Sequence, residues 1–192
     1  VMPELPEVET TKRGLLRSVK GQRILSVMLH RADIRTPIPA DFAGRAEGQT
    51  LMDIRRRAKY LLMDLNSGDR ILAHLGMSGS FTVVKTKDFQ QKKHDHVVFL
   101  LEGGLSMVFN DPRRFGIIDM IRAGEDEQVH PLLRHLGPEP LSADFDAAYL
   151  AMQLAKRKGP IKPVLMDQKL VVGVGNIYAS ESLYLSNINP FL

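Results

Sequence analysis

The chain has 192 residues, of which 44% are hydrophobic, and its formal net charge is +4. This length and apolar content suffice for a packed core, with room for one full domain and part of a second. The absence of cysteine excludes disulfides and thiolate metal sites within these residues. No apolar stretch approaches the length of a membrane span, so we expect a soluble, cytoplasmic protein.

The positive charge is concentrated in four short clusters. They are Arg55, Arg56, Arg57 and Lys59; Lys92, Lys93 and His94; Arg113 and Arg114; and Lys156, Arg157 and Lys158. A single cluster of this kind is usually a solvated surface patch. Four of them, each beside a loop that contains glycine or histidine, favour a polyanionic partner.

The first predicted element is a helix in the stretch LPEVETTKRGLL. Pro6 suits a first helical turn, and Glu7 and Glu9 complement the positive end of the helix dipole. Gly21 ends this region, and the pattern then changes to short runs rich in β-branched and aromatic residues. These runs are RILSVMLH, TLMDIRRRAKYLLMDL, DRILAHLGMSGSFTVV, HVVFLL, LSMVFND and FGIIDMI, with NSGD and EGG as hairpin turns.

Six or more strands at this spacing predict an antiparallel β-sandwich or barrel over residues 1–122. The polar, proline-bearing residues 123–143 predict a linker that carries a short helix. Residues 144–192 contain DFDAAYLAMQLAKRK, GPIKPVLMD and ASESLYLSN, which predict helices separated at Gly159 and Pro160. The fold class is therefore α+β, with a sandwich domain followed by a partial helical domain.

Two short motifs each allow more than one interpretation. The turn GVGN, which ends at Asn176, could belong to a dinucleotide loop but lacks the third glycine; a turn that offers N–H groups to a phosphate fits better. The histidines of His94-Asp95-His96 would share one face of a strand and could ligate a metal if His74 lay nearby. Such a pair is more often a hydrogen-bonding or anion-contacting feature.

Two loops present an apolar residue beside basic or flexible neighbours. HLGMSGS places Met77 between glycines, and DPRRFG exposes Arg113 immediately before a second arginine and Phe115. Either loop alone could hold a buried turn residue. Together they are what a protein needs if it removes a base from a duplex and fills the space that the base leaves.

Several motifs, in this order along the chain, strongly resemble bacterial formamidopyrimidine-DNA glycosylases. They are MPELPEVET, RRRAKYLL, HLGMSGS, KHDHV, NDPRRFG, HLGPEPLS and IKPVLMDQKLVVGVGNIYASES, and the similarity runs from Met2 to about Asn189. The resemblance implies a β-sandwich followed by the start of a helix-two-turns-helix domain. It also implies a base excision repair enzyme that excises 8-oxoguanine and formamidopyrimidines and then cleaves the strand as an AP lyase.

The resemblance assigns three catalytic residues. Pro3 matches a nucleophile that is exposed when the initiator methionine is removed, and an α-amino group has a pKa of about 8, against about 10.4 for lysine. Glu4 matches the acid that protonates the sugar ring oxygen, and Lys59 matches the proton donor in β-elimination. Glu7 and Glu181 resemble supporting carboxylates near the site.

The resemblance also implies that double-stranded damaged DNA is the partner; for the oligomeric state, a monomer is the default expectation. Three residues resemble the group that fills the space left by the excised nucleotide, with the arginine reading the orphaned cytosine: Met77, Arg113 and Phe115. The positions that match DNA contacts are His74, His94, Arg113, Arg157 and Asn176.

Two departures from the family leave alternatives open. The family binds one zinc ion through a four-cysteine C-terminal finger, and these residues contain no cysteine, so we expect no metal in this chain and weaker, less salt-dependent DNA binding. Val1 and Met2 precede Pro3, whose nitrogen is then an unreactive amide. A catalytically silent protein that binds damaged DNA is therefore the alternative to an enzyme, and a nucleotide-dependent oxidoreductase is a more distant one.

Overall fold

The computed structural model describes residues 2–192. The chain forms two compact units, of which the first ends at Asp126 and the second runs Glu127–Leu192. Within the described residues, none of the helices combines the length and apolar character that a membrane span requires.

The first helix, α1 (Leu5–Val19), forms as predicted and continues three residues beyond Leu16. A proline lies in its first turn, where the missing N–H costs nothing, and Glu7 complements the helix dipole there. Val8, Leu15 and Val19 are buried on one face. This face contacts strands of both sheets, so the apolar stripe holds the start of the helix against the sandwich.

Within residues 2–192, eight strands build two four-stranded antiparallel sheets, which confirms the predicted antiparallel sandwich. The first sheet has the order β1-β6-β7-β5 and the second the order β2-β3-β4-β8. The elements are β1 (Ile24–Leu29), α2 (Phe42–Ala46), β2 (Leu51–Arg57), β3 (Tyr60–Leu65), β4 (Arg70–His74), β5 (Ser80–Lys85), β6 (Asp95–Leu101), β7 (Leu105–Asn110) and β8 (Ile117–Ile121).

The core lies between the inner faces of the two sheets. Phe42 of α2 packs edge-on against Phe99 of β6, with ring centroids 6.1 Å apart. Side chains from both sheets are completely buried in the same cluster, including Met63, Ile71 and Phe109. Burial of such large side chains is the main source of the stability of this unit.

Two of the predicted runs each contain two strands. Residues 50–65 form the β2–β3 hairpin, in which Arg57 pairs with Tyr60 and only Ala58 and Lys59 make the turn. Residues 69–84 contain β4 and β5, which belong to different sheets. The chain passes from one sheet to the other between His74 and Ser80.

The second unit contains α3 (Ala147–Ala155), α4 (Ile161–Leu165) and α5 (Asn176–Leu185), in line with the three predicted helices. Asp146 caps α3, because its Oδ1 accepts the Tyr149 N–H at 2.7 Å. The GVGN turn joins α4 to α5, as predicted. The Gln168 side chain fixes this turn by accepting the Gly173 N–H at 2.8 Å.

Candidate active site and nucleic-acid interface

The N-terminus of α1 holds three of the residues that the family resemblance assigns. Glu4 immediately precedes the helix and is only 3% exposed. Its N–H donates to Oε2 of Glu7 at 2.9 Å, so Glu7 satisfies a backbone donor at the start of the helix. Pro3 is partly buried directly before Glu4. The nitrogen of Pro3 therefore lies near the positive end of the helix dipole, which disfavours protonation of an amine.

Lys59 occupies the turn between β2 and β3 and is 7% exposed. Burial lowers the pKa of the Lys59 ammonium from its ordinary value, and the carboxylates of Glu4 and Glu7 oppose this shift. A buried lysine beside two carboxylates can exchange a proton closer to neutral pH than an exposed one. The sequence-assigned residues Glu4, Glu7 and Lys59 thus interact in the structure.

Arg56 connects the Lys59 turn to α1. Its Nε donates to Oε2 of Glu9 at 2.9 Å, and its Nη1 donates to the carbonyl oxygen of Ala58 at 2.9 Å. Ala58 has a φ of +53°, a left-handed conformation that costs a non-glycine residue about 1 kcal/mol. The guanidinium therefore holds a strained turn in place and fixes Lys59 relative to the helix that carries Glu4.

For the strand cleavage that the family resemblance implies, replacing Arg56 with lysine is expected to lower the rate by about tenfold to a hundredfold, because one ammonium cannot reproduce both hydrogen bonds and Lys59 then shifts. Single-turnover cleavage of an abasic-site duplex measures the effect. Arg45→Lys is the matched control, since Arg45 makes a bidentate pair with Asp69 in another part of the unit. That control should lower stability without slowing cleavage, and equal rates for the two variants would contradict the positioning role.

The positive charge of the first basic cluster is partly compensated inside the protein. Arg55 makes two hydrogen bonds of 2.8 Å to Asp64 on the neighbouring strand, and Arg56 pairs with Glu9. Two of the four positive charges that the sequence predicts to face a polyanion are therefore engaged with carboxylates. Arg56 and Glu9 are 47 positions apart, so the sequence does not reveal that they pair.

His74 ends β4 opposite Tyr60, and the centroids of the two rings are 4.7 Å apart. Its Nδ1 accepts the Gly76 N–H at 2.9 Å, which leaves the hydrogen of the neutral ring on Nε2. Burial, with the nearby charges of Arg35 and Lys59, lowers the pKa of His74 to about 4. The imidazole is thus a neutral donor at physiological pH, and Arg35 is a neighbour that sequence analysis did not select.

The depressed pKa of His74 makes the protein less stable in acid. Between pH 6.5 and about 4 the unfolded chain binds a proton that the folded chain excludes, so the free energy of unfolding falls by up to about 3 kcal/mol. Urea titrations at several pH values measure this loss. In His74→Asn the amide oxygen can still accept the Gly76 N–H, but position 74 no longer titrates. The loss of unfolding free energy in acid should therefore be smaller by about 3 kcal/mol than in the wild type. Parallel pH profiles of the two proteins would contradict this role of His74.

The loops that carry Met77 and Phe115 are locked together. Ser78 Oγ donates to Oδ1 of the fully buried Asp111 at 2.6 Å and accepts the Arg113 N–H at 2.9 Å. Asp111 Oδ2 accepts the Gly116 N–H at 2.7 Å. One buried carboxylate therefore organises both loops, although sequence analysis did not assign it a role, because its partner Ser78 lies 33 residues away.

The three residues predicted to fill the space in the duplex lie on these two loops. Met77 is 38% exposed and Phe115 is 45% exposed, so both side chains are accessible from solvent. The guanidinium carbon of Arg113 lies 5.5 Å from the centroid of the Phe115 ring, within the range of a cation–π interaction. An apolar pair with an adjacent arginine is thus presented on a rigid support.

Within the His94-Asp95-His96 motif, the Asp95 carboxylate is used inside the protein. Both carboxylate oxygens of Asp95 accept hydrogen bonds, from the Lys92 N–H at 2.7 Å and from the Asn110 amide at 2.8 Å. The rings of His94 and His96 are neighbours, 6.2 Å apart. Over residues 2–192 no three His, Cys, Asp or Glu side chains gather as a metal site would require. The chain also has no cysteine to supply a four-thiolate zinc site.

The remaining predicted site residues belong to the second unit. Asn176 is exposed as the first residue of α5, directly after the GVGN turn, and Glu181 is exposed on the same helix. Arg157 follows α3 and donates to Oδ2 of Asp167 at 2.6 Å. This hydrogen bond holds the pKa of the Asp167 carboxyl below its usual value. The positive charge of Arg157 is therefore partly compensated by a neighbouring carboxylate.

Two family models match the chain and divide it much as the fold does. The formamidopyrimidine-DNA glycosylase N-terminal domain matches residues 2–118, and the formamidopyrimidine-DNA glycosylase H2TH domain matches residues 136–192. The chain belongs to the formamidopyrimidine-DNA glycosylase family. The resemblance inferred from the motifs is therefore confirmed.

Relatives and solved structures agree with this family. The chain is 49% identical to the formamidopyrimidine-DNA glycosylase of a Bradyrhizobium species and 54% identical to that of Stenotrophomonas maltophilia, over 98% of this chain and 68% of each relative. The crystal structure of MutM (Fpg) from Thermus thermophilus has a TM-score of 0.83 at 41% identity, covering 98% of this chain and 66% of that one. A complex of Lactococcus lactis Fpg with abasic-site DNA has a TM-score of 0.87 at 36% identity, covering 98% and 68%. The chain thus spans about two thirds of the length of these proteins.

Proposed function

We propose that this chain is a bifunctional DNA glycosylase and AP lyase of base excision repair, which excises oxidised purines such as 8-oxoguanine and formamidopyrimidines from duplex DNA. The observation that carries the proposal is the group formed by Pro3, the buried Glu4 and the buried Lys59 at the start of α1. Relatives named formamidopyrimidine-DNA glycosylase, and a relative bound to abasic-site DNA, support the substrate class.

The nucleophile is the secondary amine of Pro3 in a protein whose first residue is Pro3. Its lone pair forms a bond to C1′ of the damaged nucleotide, and the bond from C1′ to the base breaks as the base leaves with those electrons. The nitrogen then gives up its proton, which neutralises the departing base anion. Glu4 donates a proton to the ring oxygen O4′, the C1′–O4′ bond breaks as the nitrogen lone pair forms the C=N bond, and a cationic iminium remains. A free α-amine is suited to this role because its pKa of about 8 leaves a usable neutral fraction at pH 7.

Strand cleavage follows because the iminium accepts electrons. The Glu4 carboxylate, which has given its proton to O4′, accepts a proton from C2′. The electrons of that C–H bond move toward the cationic nitrogen, and the 3′ phosphate leaves by β-elimination with the electrons of its C3′–O bond. Lys59 supplies protons to this stage, since burial lowers the pKa of its ammonium toward the working pH. Glu7 supports the site by holding the Glu4 N–H, and we assign Glu181 a supporting role as well.

Double-stranded DNA is held by both units in this proposal. His74 donates from Nε2 to a phosphate, and His94, Arg157 and Asn176 contact the backbone. Three residues enter the duplex: Met77, Arg113 and Phe115. They fill the space of the extruded nucleotide, and the arginine reads the orphaned cytosine. We propose that a monomer suffices and that the chemistry uses no metal.

Trapping with borohydride tests the function. A protein that starts at Pro3 is incubated with a duplex containing 8-oxoguanine opposite cytosine, and borohydride reduces the iminium to a stable covalent complex. We expect a trapped complex, released 8-oxoguanine and a cleaved strand. Absence of both adduct and base release would overturn the proposal.

A protein that retains Met2 is the matched control. Its Pro3 nitrogen is an amide without a reactive lone pair, so it should bind the same duplex and form no adduct. An undamaged duplex provides the second control, from which no base should be released. Equal affinity for damaged and undamaged duplex, without turnover, would instead favour a general DNA-binding protein.

A further inference from the structure

Ser78 joins the loop that carries Met77 to the loop that carries Arg113. Its hydroxyl donates to Oδ1 of Asp111 at 2.6 Å and accepts the Arg113 N–H at 2.9 Å. A serine hydroxyl has one hydrogen, and here it goes to a carboxylate, so the hydrogen bond is charge-assisted and directional. The position of the Arg113 backbone is therefore set by the side chain next to Met77.

The turn that carries Ser78 is packed tightly at both ends. The Gly79 N–H donates to the carbonyl oxygen of Leu75 at 2.7 Å, which closes the turn. A Cβ on Gly79 would collide with that same oxygen, and a Cβ on Gly76 would lie 2.5 Å from the carbonyl carbon of Phe115. Because both glycines lie against backbone, the turn holds the Ser78 hydroxyl in one place.

The carboxylate that accepts the Ser78 hydroxyl is anchored to the first sheet. Asp111 is completely buried, and its N–H donates to the carbonyl oxygen of His94 at 3.0 Å. Its own carbonyl oxygen lies 2.7 Å from Nε2 of His96, a residue of β6. The position of β6 is thus passed through Asp111 and Ser78 to the backbone of Arg113.

The side chain of Arg113 is held at two points. Its N–H is bound by Ser78, and its guanidinium carbon lies 5.5 Å from the centroid of the Phe115 ring. Within residues 2–192 the guanidinium donates no hydrogen bond to another group of the protein. Its five N–H groups, arranged as a rigid planar fork, are therefore available to a base.

Recognition of cytosine requires this fork to be placed accurately. On its pairing edge cytosine presents two adjacent acceptors, O2 and N3, and a guanidinium can donate to both at once. Adenine presents one acceptor, N1, beside an amino group that can only donate. A fork in the correct position therefore makes two hydrogen bonds with cytosine and one with adenine, and a loosely placed fork loses this difference.

We propose that Ser78 is a positioning residue that makes the protein selective for cytosine opposite the lesion, because its hydroxyl fixes Arg113 relative to Met77. The inference rests on the proposed function, in which Arg113 reads the orphaned cytosine, and it adds the residue on which the accuracy of that reading depends. The two loops then enter the duplex as one unit, and Ser78 itself contacts no base.

Affinity for duplexes that differ only in the opposite base tests this role. Each duplex contains a stable abasic-site analogue, which prevents cleavage, opposite either cytosine or adenine. In Ser78→Ala we expect a loss of about tenfold for the cytosine duplex and of less than about twofold for the adenine duplex. A merely structural loss would lower both affinities by the same factor, so the ratio of the two affinities identifies positioning.

Two variants and a control define the cause of the change. Ser78→Thr keeps the hydroxyl and should keep the preference for cytosine. Ser78→Cys keeps the size with a weaker donor, so its preference should lie between those of the wild type and Ser78→Ala. Ser80→Ala, at the start of β5, is the matched control, because within residues 2–192 the Ser80 hydroxyl makes no hydrogen bond. It should bind both duplexes as the wild type does.

Urea unfolding shows which variants remain folded, and the Ser78→Cys result decides the matter if Ser78→Ala does not fold. An unchanged preference for cytosine in the folded variants, in a wild type that is selective, would overturn the positioning role and leave the proposed function intact. Equal affinity of the wild type for the two duplexes would instead contradict the reading of cytosine by Arg113, and the role of Ser78 with it.

Discussion

Glu4→Gln, in a protein that starts at Pro3, is expected to lower the rate of base release by about 10³-fold. The glutamine has the same shape and can still occupy the buried position before α1, but it has no acidic proton to donate to the sugar ring oxygen. Burial of Glu4 at 3% exposure excludes water that could replace it. Single-turnover release of 8-oxoguanine from duplex DNA measures the change.

The affinity for DNA should change little in Glu4→Gln, because the substitution acts on the chemical step. Glu102→Gln is the matched control, since Glu102 is exposed beside the turn between β6 and β7. The control should release base at the wild-type rate. A loss of less than about tenfold in Glu4→Gln would show that another group supplies the proton.

Gly76→Ala is expected to destabilise the first unit by about 3 kcal/mol and to weaken recognition of the lesion. Gly76 has a φ of +60°, and a Cβ there would lie 2.5 Å from the carbonyl carbon of Phe115 and 2.6 Å from the nitrogen of Gly116. Both contacts are with backbone, so the two loops must move apart. Separation of the loops displaces Met77 from Phe115. Urea unfolding and affinity for an abasic-site duplex measure the two effects.

Gly104→Ala separates backbone strain from the steric clash. Gly104 also has a positive φ, +74°, but a Cβ there meets nothing within 4 Å. It should therefore cost only the conformational part, about 1 kcal/mol, and leave DNA affinity unchanged. Equal destabilisation by the two substitutions would contradict the close packing of the Met77 and Phe115 loops.

Short runs rich in β-branched and aromatic residues were sufficient to predict the antiparallel sandwich, although two of these runs each contain two strands. The β2–β3 turn contains no glycine or asparagine, the residues that mark a two-residue hairpin turn in a sequence. Ala58 adopts the left-handed conformation instead, and the Arg56 side chain donates to its carbonyl oxygen. The passage from β4 to β5 depends on Gly76 approaching the Phe115 backbone, a contact between distant residues. Turns stabilised by tertiary contacts leave no local signal.

The candidate site likewise contains residues that the sequence could identify and residues that it could not. Glu4, Lys59 and His74 could be assigned because the family resemblance covers their motifs, and the structure brings them into interaction. Asp111, by contrast, organises two loops through hydrogen bonds to Ser78 and Gly116 that sequence spacing does not encode. Charge clusters were also ambiguous, since the count of arginines does not reveal which of them already face a carboxylate.

Pro3 is the proposed nucleophile, and the position of the covalent bond in the trapped complex shows whether it acts as one. The complex trapped by borohydride is digested, and the peptides are mapped by mass spectrometry. We expect the sugar remnant on the peptide that begins at Pro3, attached to its nitrogen. Attachment to the buried Lys59, or to any other lysine, would contradict the proposed mechanism.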